Sequence, residues 1–221
     1  PTGGDIADGR LWGRGSCDTK GSLAAMICAA EAIPKESFAG TLIVSASICE
    51  EDMTTAALAA ILDKHPADFV VVGEPTSLQL GVAQKGRGGL IVEATGRSAH
   101  TSRPELGDNA IIKMIEAISR IRALALPSDQ EMGRGVCEII EIDSEPKPSI
   151  GTVPHRSTAR LALRLLPGET RESVIARISK AIDGLKGVSL KFAEQSQDCW
   201  TGQNITLEEF VPAWKNADTP L

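Results

Sequence analysis

The chain has 221 residues, 42% hydrophobic and 24% charged, the balance of an ordinary globular protein of one or two domains. Its net charge of −6, from 23 basic and 29 acidic residues, argues against nucleic acid as the main partner. No apolar run approaches the ~20 residues of a membrane span and no signal-like segment opens the sequence, so a membrane is not an expected partner either. Three Trp, four Phe and no Tyr leave the core to Ala, Leu, Ile and Val. The five cysteines form no C-x-x-C pair, and Cys28, Cys49 and Cys137 lie in apolar patterns where cysteine acts as a small hydrophobe. A reducing, cytoplasmic setting is the simplest expectation.

Residues 18–84 alternate helix and strand signals. "DTKGSLAAMICAAEAI" (18–33) predicts a helix, with Asp18 placed to accept from its first free N–H groups. "TLIVSASICEE" (41–51) is apolar on nearly both faces, as in a buried parallel strand. "TTAALAAILDKH" (54–65) predicts a helix closed by Pro66, and "DFVVVGE" (68–74) a second buried strand. Strand, helix and strand with short links imply a right-handed crossover in a parallel α/β layer.

Past "QKGRGG" the pattern changes. "GLIVEATG", "GVCEIIEID", "STARLALRLL" and "GVSLKFAEQ" read as strands, and "DNAIIKMIEAISRIRAL" and "TRESVIARISKAIDGL" as helices. That order, βαββαβ, predicts a ferredoxin-like α+β module, an antiparallel four-stranded sheet with two helices on one face. Asn109 reads as helix-start chemistry. The tail from Cys199, with Trp200 and Trp214, continues no element of this module and is expected to lead back to the first layer. The division expected is 1–85, 86–196 and 197–221.

Acids gather at strand ends. The run 41–49 stops at Glu50-Glu51, and the run 68–73 stops at Glu74. In open α/β sheets ligands bind beyond the carboxyl ends of the strands, and Asp18 heads a helix along the same rim. Carboxylates so close repel unless a cation neutralises them. Oxygen ligands of this kind suit Zn²⁺, Mn²⁺ or Co²⁺. One glutamate of the Glu50-Glu51 pair could ligate while the other takes a proton from water. The plain alternative is an N-cap and three solvated loop acids.

The glycine-rich stretch "GRLWGRGSCDTKGSLAAM" (9–26) fits no phosphate loop. Lys20-Gly21-Ser22 reverses the Gly-Lys-Ser order of a Walker loop, and Asp18 stands where a dinucleotide fingerprint needs its third glycine. Gly13, Gly15 and Gly21 instead suit a tight turn around Asp18.

"DGRLWGRGSCDTKG", "SICEED" and "VVGEPT", in that order, with "KGRGGLIVEATGRSAHTSRPELGDNAI", resemble the dinuclear zinc amidohydrolases and exopeptidases. That family includes acetylornithine deacetylase, succinyl-diaminopimelate desuccinylase, aminoacylase and glutamate carboxypeptidase. The resemblance implies a partial parallel-sheet catalytic layer over 1–85, an inserted lid or dimerisation domain over 86–196, and a return segment over 197–221. It implies two divalent metal ions, zinc foremost, and a homodimer formed through the lid. By position, Asp18 matches the carboxylate bridging the metals, Glu51 and Glu74 match one ligand to each, and Glu50 matches the general base. His100, in "SAHTSRP", matches a lid histidine that reaches the partner subunit's active site and steadies the scissile carbonyl, a contribution of about 3 kcal/mol for such a donor. Arg164, in "LALRLLPGET", matches an arginine near the substrate carboxylate, which suits its forked geometry.

The implied activity is cleavage of an amide bond in an N-acyl amino acid or small peptide. The chain departs from the family pattern in four places. It has three histidines, and none falls at the upstream or downstream metal-binding positions, so a fragment of a longer protein is expected. Gly151 and Ala162 replace a common Asn and Asp. The alternative reading is therefore a non-catalytic dimerisation or scaffold segment that cannot complete the metal site.

Overall fold

The structure is a computed structural model that describes residues 3–34, 36, 38–53 and 56–216. The chain is mixed α/β and divides into two compact units, Pro1–Gly81 and Val82–Leu221. Among the described residues no helix is long and apolar enough to cross a membrane.

The first unit opens with a hairpin, β1 (Asp5–Ala7) against β2 (Arg10–Trp12). Its two-residue turn is Asp8-Gly9, both at positive φ (53° and 69°), the twist that an Asp-Gly pair supplies to a hairpin. Helix α1 (Lys20–Ala32) follows, then the short α2 (Glu50–Met53) and α3 (Ala56–Lys64). Thr54 and Thr55, the expected start of the third helix, lie outside the described residues.

The two expected parallel strands do not form in this unit. Residues 41–47 and 68–75 are irregular, and Ile48 and Val71 are 70% and 81% exposed. A run that is apolar on both faces is stable as a strand only when neighbours satisfy its backbone and cover its faces. Among the described residues neither run has a strand beside it.

The second unit carries the core. Its elements are β3 (Ala83–Gln84), β4 (Gly86–Thr95), a 3₁₀ turn (Pro104–Leu106), α4 (Ala110–Arg122), β5 (Ser128–Asp129) and β6 (Gly133–Arg134). There follow β7 (Val136–Glu145), β8 (Arg156–Leu165), α5 (Arg171–Ala181) and β9 (Val188–Phe192). The chain then forms β10 (Glu194–Asp198), β11 (Asn204–Glu208), β12 (Phe210–Val211) and β13 (Trp214–Lys215). The main sheet runs β7–β8–β4 with every pairing antiparallel; the far edge of β4 is shared by β12 and β9. A register shift between Ile139 and Glu141 breaks the β7–β8 ladder.

One face of the sheet is buried. Leu90, Val92 and Ala94 of β4 and Ala159, Leu161, Leu163 and Leu165 of β8 alternate with outward residues. They meet Ala110, Met114, Ala117 and Ile121 of α4, spaced at helical periods, and Val174 and Ile178 of α5. Asn109 caps α4, its Oδ1 accepting from the Ile111 N–H at 2.9 Å, as the sequence predicts. Thr170 and Ser173 close a capping box on α5.

The segment after residue 196 pairs inside this unit: β11 with β10, β12 with β4, β13 with β3. The glycines of "KGRGG" make room for it. A Cβ on Gly86 would overlap the Val211 carbonyl and the Ala213 amide, and one on Gly89 would overlap the Glu209 carboxylate. Residues 217–221 lie outside the described residues.

Candidate active site

The acids are held by the loops of the first unit. Gly15, at φ 73°, turns the chain ahead of α1, and the Lys20 N–H donates to its carbonyl at 2.8 Å. Of the three glycines expected to shape this turn, only Gly15 needs the left-handed conformation. The expected Asp18 cap does not form: Thr19 occupies the cap position, and its side chain does not cap the helix. Instead the Thr19 hydroxyl donates to the Gly73 carbonyl at 2.9 Å, which ties the Asp18 turn to the residue before Glu74. A Cβ on Gly73 would stand 2.9 Å from the Ser22 Cβ and 2.8 Å from the Met26 Cε, so the same glycine lets this segment lie against α1.

Glu50 and Glu51 open α2, just after Cys49 at φ 56°. The Glu74 carboxyl is held above its ordinary value, first by desolvation and then by the negative charges of Asp18, Glu50 and Glu51. The four acids named from the sequence therefore share one electrostatic neighbourhood. As a donor set they suit a hard or borderline divalent cation. They do not close a coordination shell, because among the described residues no three His, Cys, Asp or Glu side chains are arranged to hold an ion.

His100 belongs to the second unit, in the loop after β4. Its backbone bridges to Thr152, and the flanking Thr101 N–H donates to the Gly151 carbonyl at 3.0 Å. The Ser102 N–H donates to His100 Nδ1 at 3.1 Å, with the Ser102 hydroxyl at 2.8 Å from the same nitrogen. A ring nitrogen that accepts from an amide carries no proton, so the neutral ring keeps its proton on Nε2. His100 is exposed and presents an N–H donor. His155 Nδ1 is 3.3 Å from the Ser98 hydroxyl.

Arg164 is exposed near the end of β8, on the face turned away from the core. His100 pairs with Thr152, just ahead of the start of β8. The strand rise places Arg156 and Arg164 about 27 Å apart, so within one chain His100 and Arg164 stand at opposite ends of the ladder. Sequence reasoning passed over the Thr19 tether, the Ser102 amide and Arg87, which lies directly opposite Arg164. None of these has a local sequence signature, since each depends on chain segments meeting in space.

Residues 82–187 match the peptidase dimerisation domain of the M20 family. The chain thus carries an M20-type peptidase dimerisation domain. It is 32% identical over 212 residues to an Aspergillus flavus protein named "Probable carboxypeptidase", covering 89% of this chain and 49% of that one. It is 30% identical over 189 residues to a succinyl-diaminopimelate desuccinylase of Parvibaculum lavamentivorans, covering 81% of this chain and 45% of the relative. The aminopeptidase PepT of Bacillus cereus overlays with a TM-score of 0.42 at 18% identity, over 63% of this chain and 33% of the aminopeptidase. The chain spans about half the length of the curated relatives it matches.

Proposed function

We propose that this chain is the acid-bearing part and the dimerisation part of a metal-dependent hydrolase that cleaves the amide bond of an N-acyl amino acid or small peptide, as a deacylase, deacetylase or exopeptidase. The observation that carries the reading is that Asp18, Glu50 and Glu51 all lie near enough to Glu74 for their negative charges to add to the desolvation that raises its carboxyl. A protein that holds four acids at one place without a cation loses stability for no return. In this reading residues 1–85 belong to the catalytic layer, 86–196 to the lid, and 197–221 to a segment returning to the catalytic layer.

Asp18, Glu51 and Glu74 would hold two divalent ions, zinc foremost, which when bound supply Lewis acidity and lower the pKa of water. By the resemblance, Asp18 would be the carboxylate shared between them. Glu50 takes the proton of the attacking water and returns it to the leaving amine. His100 donates from Nε2 to the oxygen that becomes negative. Arg164 receives the substrate carboxylate with its forked guanidinium. The separation of His100 and Arg164 along β8 suits a homodimer in which the two serve different active sites. The exposed Ile112 and Ile115 of α4 and Ile140 and Ile142 of the edge strand β7 are the apolar surface for that contact. The setting proposed is the cytoplasm, where the five free cysteines stay reduced.

Zinc titration of this chain and of a double variant, Asp18→Ala with Glu51→Ala, tests the reading. Binding that the variant abolishes supports it. Equal binding by both proteins excludes the carboxylate cluster as the metal site. A second reading, a dimerisation scaffold without activity, is favoured by the absence of a closed three-ligand set among the described residues. Its signature is a stable dimer in sedimentation with no metal bound.

A further inference from the structure

The first unit carries a cavity of about 480 Å³, lined by Gly3, Asp5, Trp12, Gly13 and Arg14. Its size is that of a pocket for a small molecule. The hairpin β1–β2 decides which side chains reach it. Asp5 and Trp12 are direct partners in the register and share one face of the hairpin, while the next pair, Ile6 and Leu11, stands on the other. The two glycines keep the wall beside them bare. A Cβ on Gly13 would stand 3.1 Å from the Gly3 carbonyl oxygen, and one on Gly3 would stand 3.1 Å from Asp5 Oδ2, both tighter than an ordinary contact.

The lining suits one kind of ligand. Trp12 is 55% exposed, and its Nε1–H donates to the Ala7 carbonyl at 3.4 Å, which steadies the edge of the ring and leaves its surface open. Arg14 and Asp5 bring opposite charges to the same cavity, yet among the described residues neither makes an ion pair. Elsewhere exposed cations and acids do close on each other, as Arg120 does with Glu116 and Lys215 with Glu131. Two unlike charges left unjoined beside an open indole are complementary to a zwitterion that bears a ring. The guanidinium fork takes its carboxylate, Asp5 takes its ammonium, and the ring stacks on Trp12. The wall is held in place from the far side: Lys20 Nζ donates to the Arg14 carbonyl at 2.8 Å, and the Ser16 N–H donates to the Gly13 carbonyl at 3.2 Å.

We propose that this cavity binds a free aromatic amino acid, with Trp12, Arg14 and Asp5 as its three points of recognition. The site goes beyond the hydrolase reading and does not rest on it, since no metal and none of the four clustered acids takes part. Gly13 and Arg14 belong to the same turn as Asp18, so an occupied cavity stiffens the segment that leads into α1.

The test is titration of the full chain, without metal, with L-phenylalanine, L-alanine, phenylacetate and phenethylamine, followed at the indole N–H resonances of its three tryptophans. Trp12→Phe, which keeps a ring, identifies the Trp12 signal. The expected result is a saturable shift of that signal alone, with L-phenylalanine bound about tenfold more tightly than each of the other three compounds. Arg14→Gln removes the preference over phenethylamine, and Asp5→Asn removes the preference over phenylacetate. Asp8→Asn, in the turn of the hairpin and outside the cavity, leaves both. The amide shifts of Ile6 and Leu11, on the other face, check that each variant keeps the hairpin. An unmoved Trp12 signal, equal affinity for the four compounds, or an Arg14→Gln protein that keeps its preference overturns the proposal. Saturable shifts at Trp200 or Trp214 alone put the ligand in the second unit and overturn it as well. Zinc binding by the acid cluster is read separately, so the hydrolase reading stands or falls apart from this site.

Discussion

The hydroxyl of Thr19 donates to the carbonyl of Gly73 at 2.9 Å, joining two loops that are 54 residues apart in the chain. That one bond links the turn carrying Asp18 to the segment carrying Glu74, and it does so beside α1, where Gly73 has no side chain to hold the two apart. Replacing Thr19 with Val keeps the shape and removes the donor. The expected cost is about 1 kcal/mol of local stability, the ordinary net worth of such a bond. Amide exchange at the start of α1 reads it: protection at Lys20–Leu23 falls several-fold. Unchanged protection would mean the turn is held by its backbone bonds to Gly13 and Gly15 alone.

His100 offers a prediction independent of any reaction. Its Nδ1 accepts from the Ser102 amide, so the neutral ring is the Nε2–H tautomer. Nitrogen chemical shifts of the imidazole ring distinguish the two tautomers directly. The wild-type ring is expected to show the Nε2–H pattern, and Ser102→Pro, which deletes the amide proton, is expected to show a mixture. A wild-type mixture would remove the structural basis for His100 as an aimed donor.

The cysteines divide by burial. Cys17, Cys28 and Cys49 are exposed, whereas Cys137 on β7 is partly covered and desolvation pushes its thiol above the ordinary value. The thiolate is the reactive form, so at pH 8 the first three react quickly with a disulfide reagent and Cys137 lags at least tenfold. Mass spectrometry of the labelled peptides gives the order. Labelling of Cys137 at the rate of Cys28 would show that β7 opens on the timescale of the reaction.

The second unit was legible from sequence for a definite reason. Its sheet buries one face only, so β8 alternates in "RSTARLALRL" and α4 repeats its apolar residues at helical spacing, patterns that survive without knowledge of neighbours. The first unit was not. "TLIVSASI" and "DFVVV" announce what they would pack against, not whether it is there, and Val71 stands mostly exposed. Glu50, Glu51 and Glu74 stand out in the sequence because they end apolar runs. Asp18 looks like a cap because an acid before a helix usually serves as one, whereas the cap position belongs to Thr19. The pairing of Arg87 with Arg164 was invisible, because register between β4 and β8 is set by tertiary pairing and no local rule fixes it.

Gly86 is the sharpest steric test of the tail. A Cβ there would overlap the backbone of Val211, Pro212 and Ala213, atoms that cannot swing aside as the end of a side chain can. An alanine there must push the tail backbone away, which lifts β12 off the edge of β4. The expected loss is about 2 kcal/mol, in the range of overpacked sites. Because the strain falls on the tail rather than on the core under β4, the helices and main sheet keep their circular dichroism while the chain beyond Ala193 becomes open to protease. Cleavage confined to residues 194–215 in Gly86→Ala, and slow in the wild type, is the outcome that fits. Loss of the whole second unit in one step would show that β12 is part of the core's cooperative unit and not an added edge.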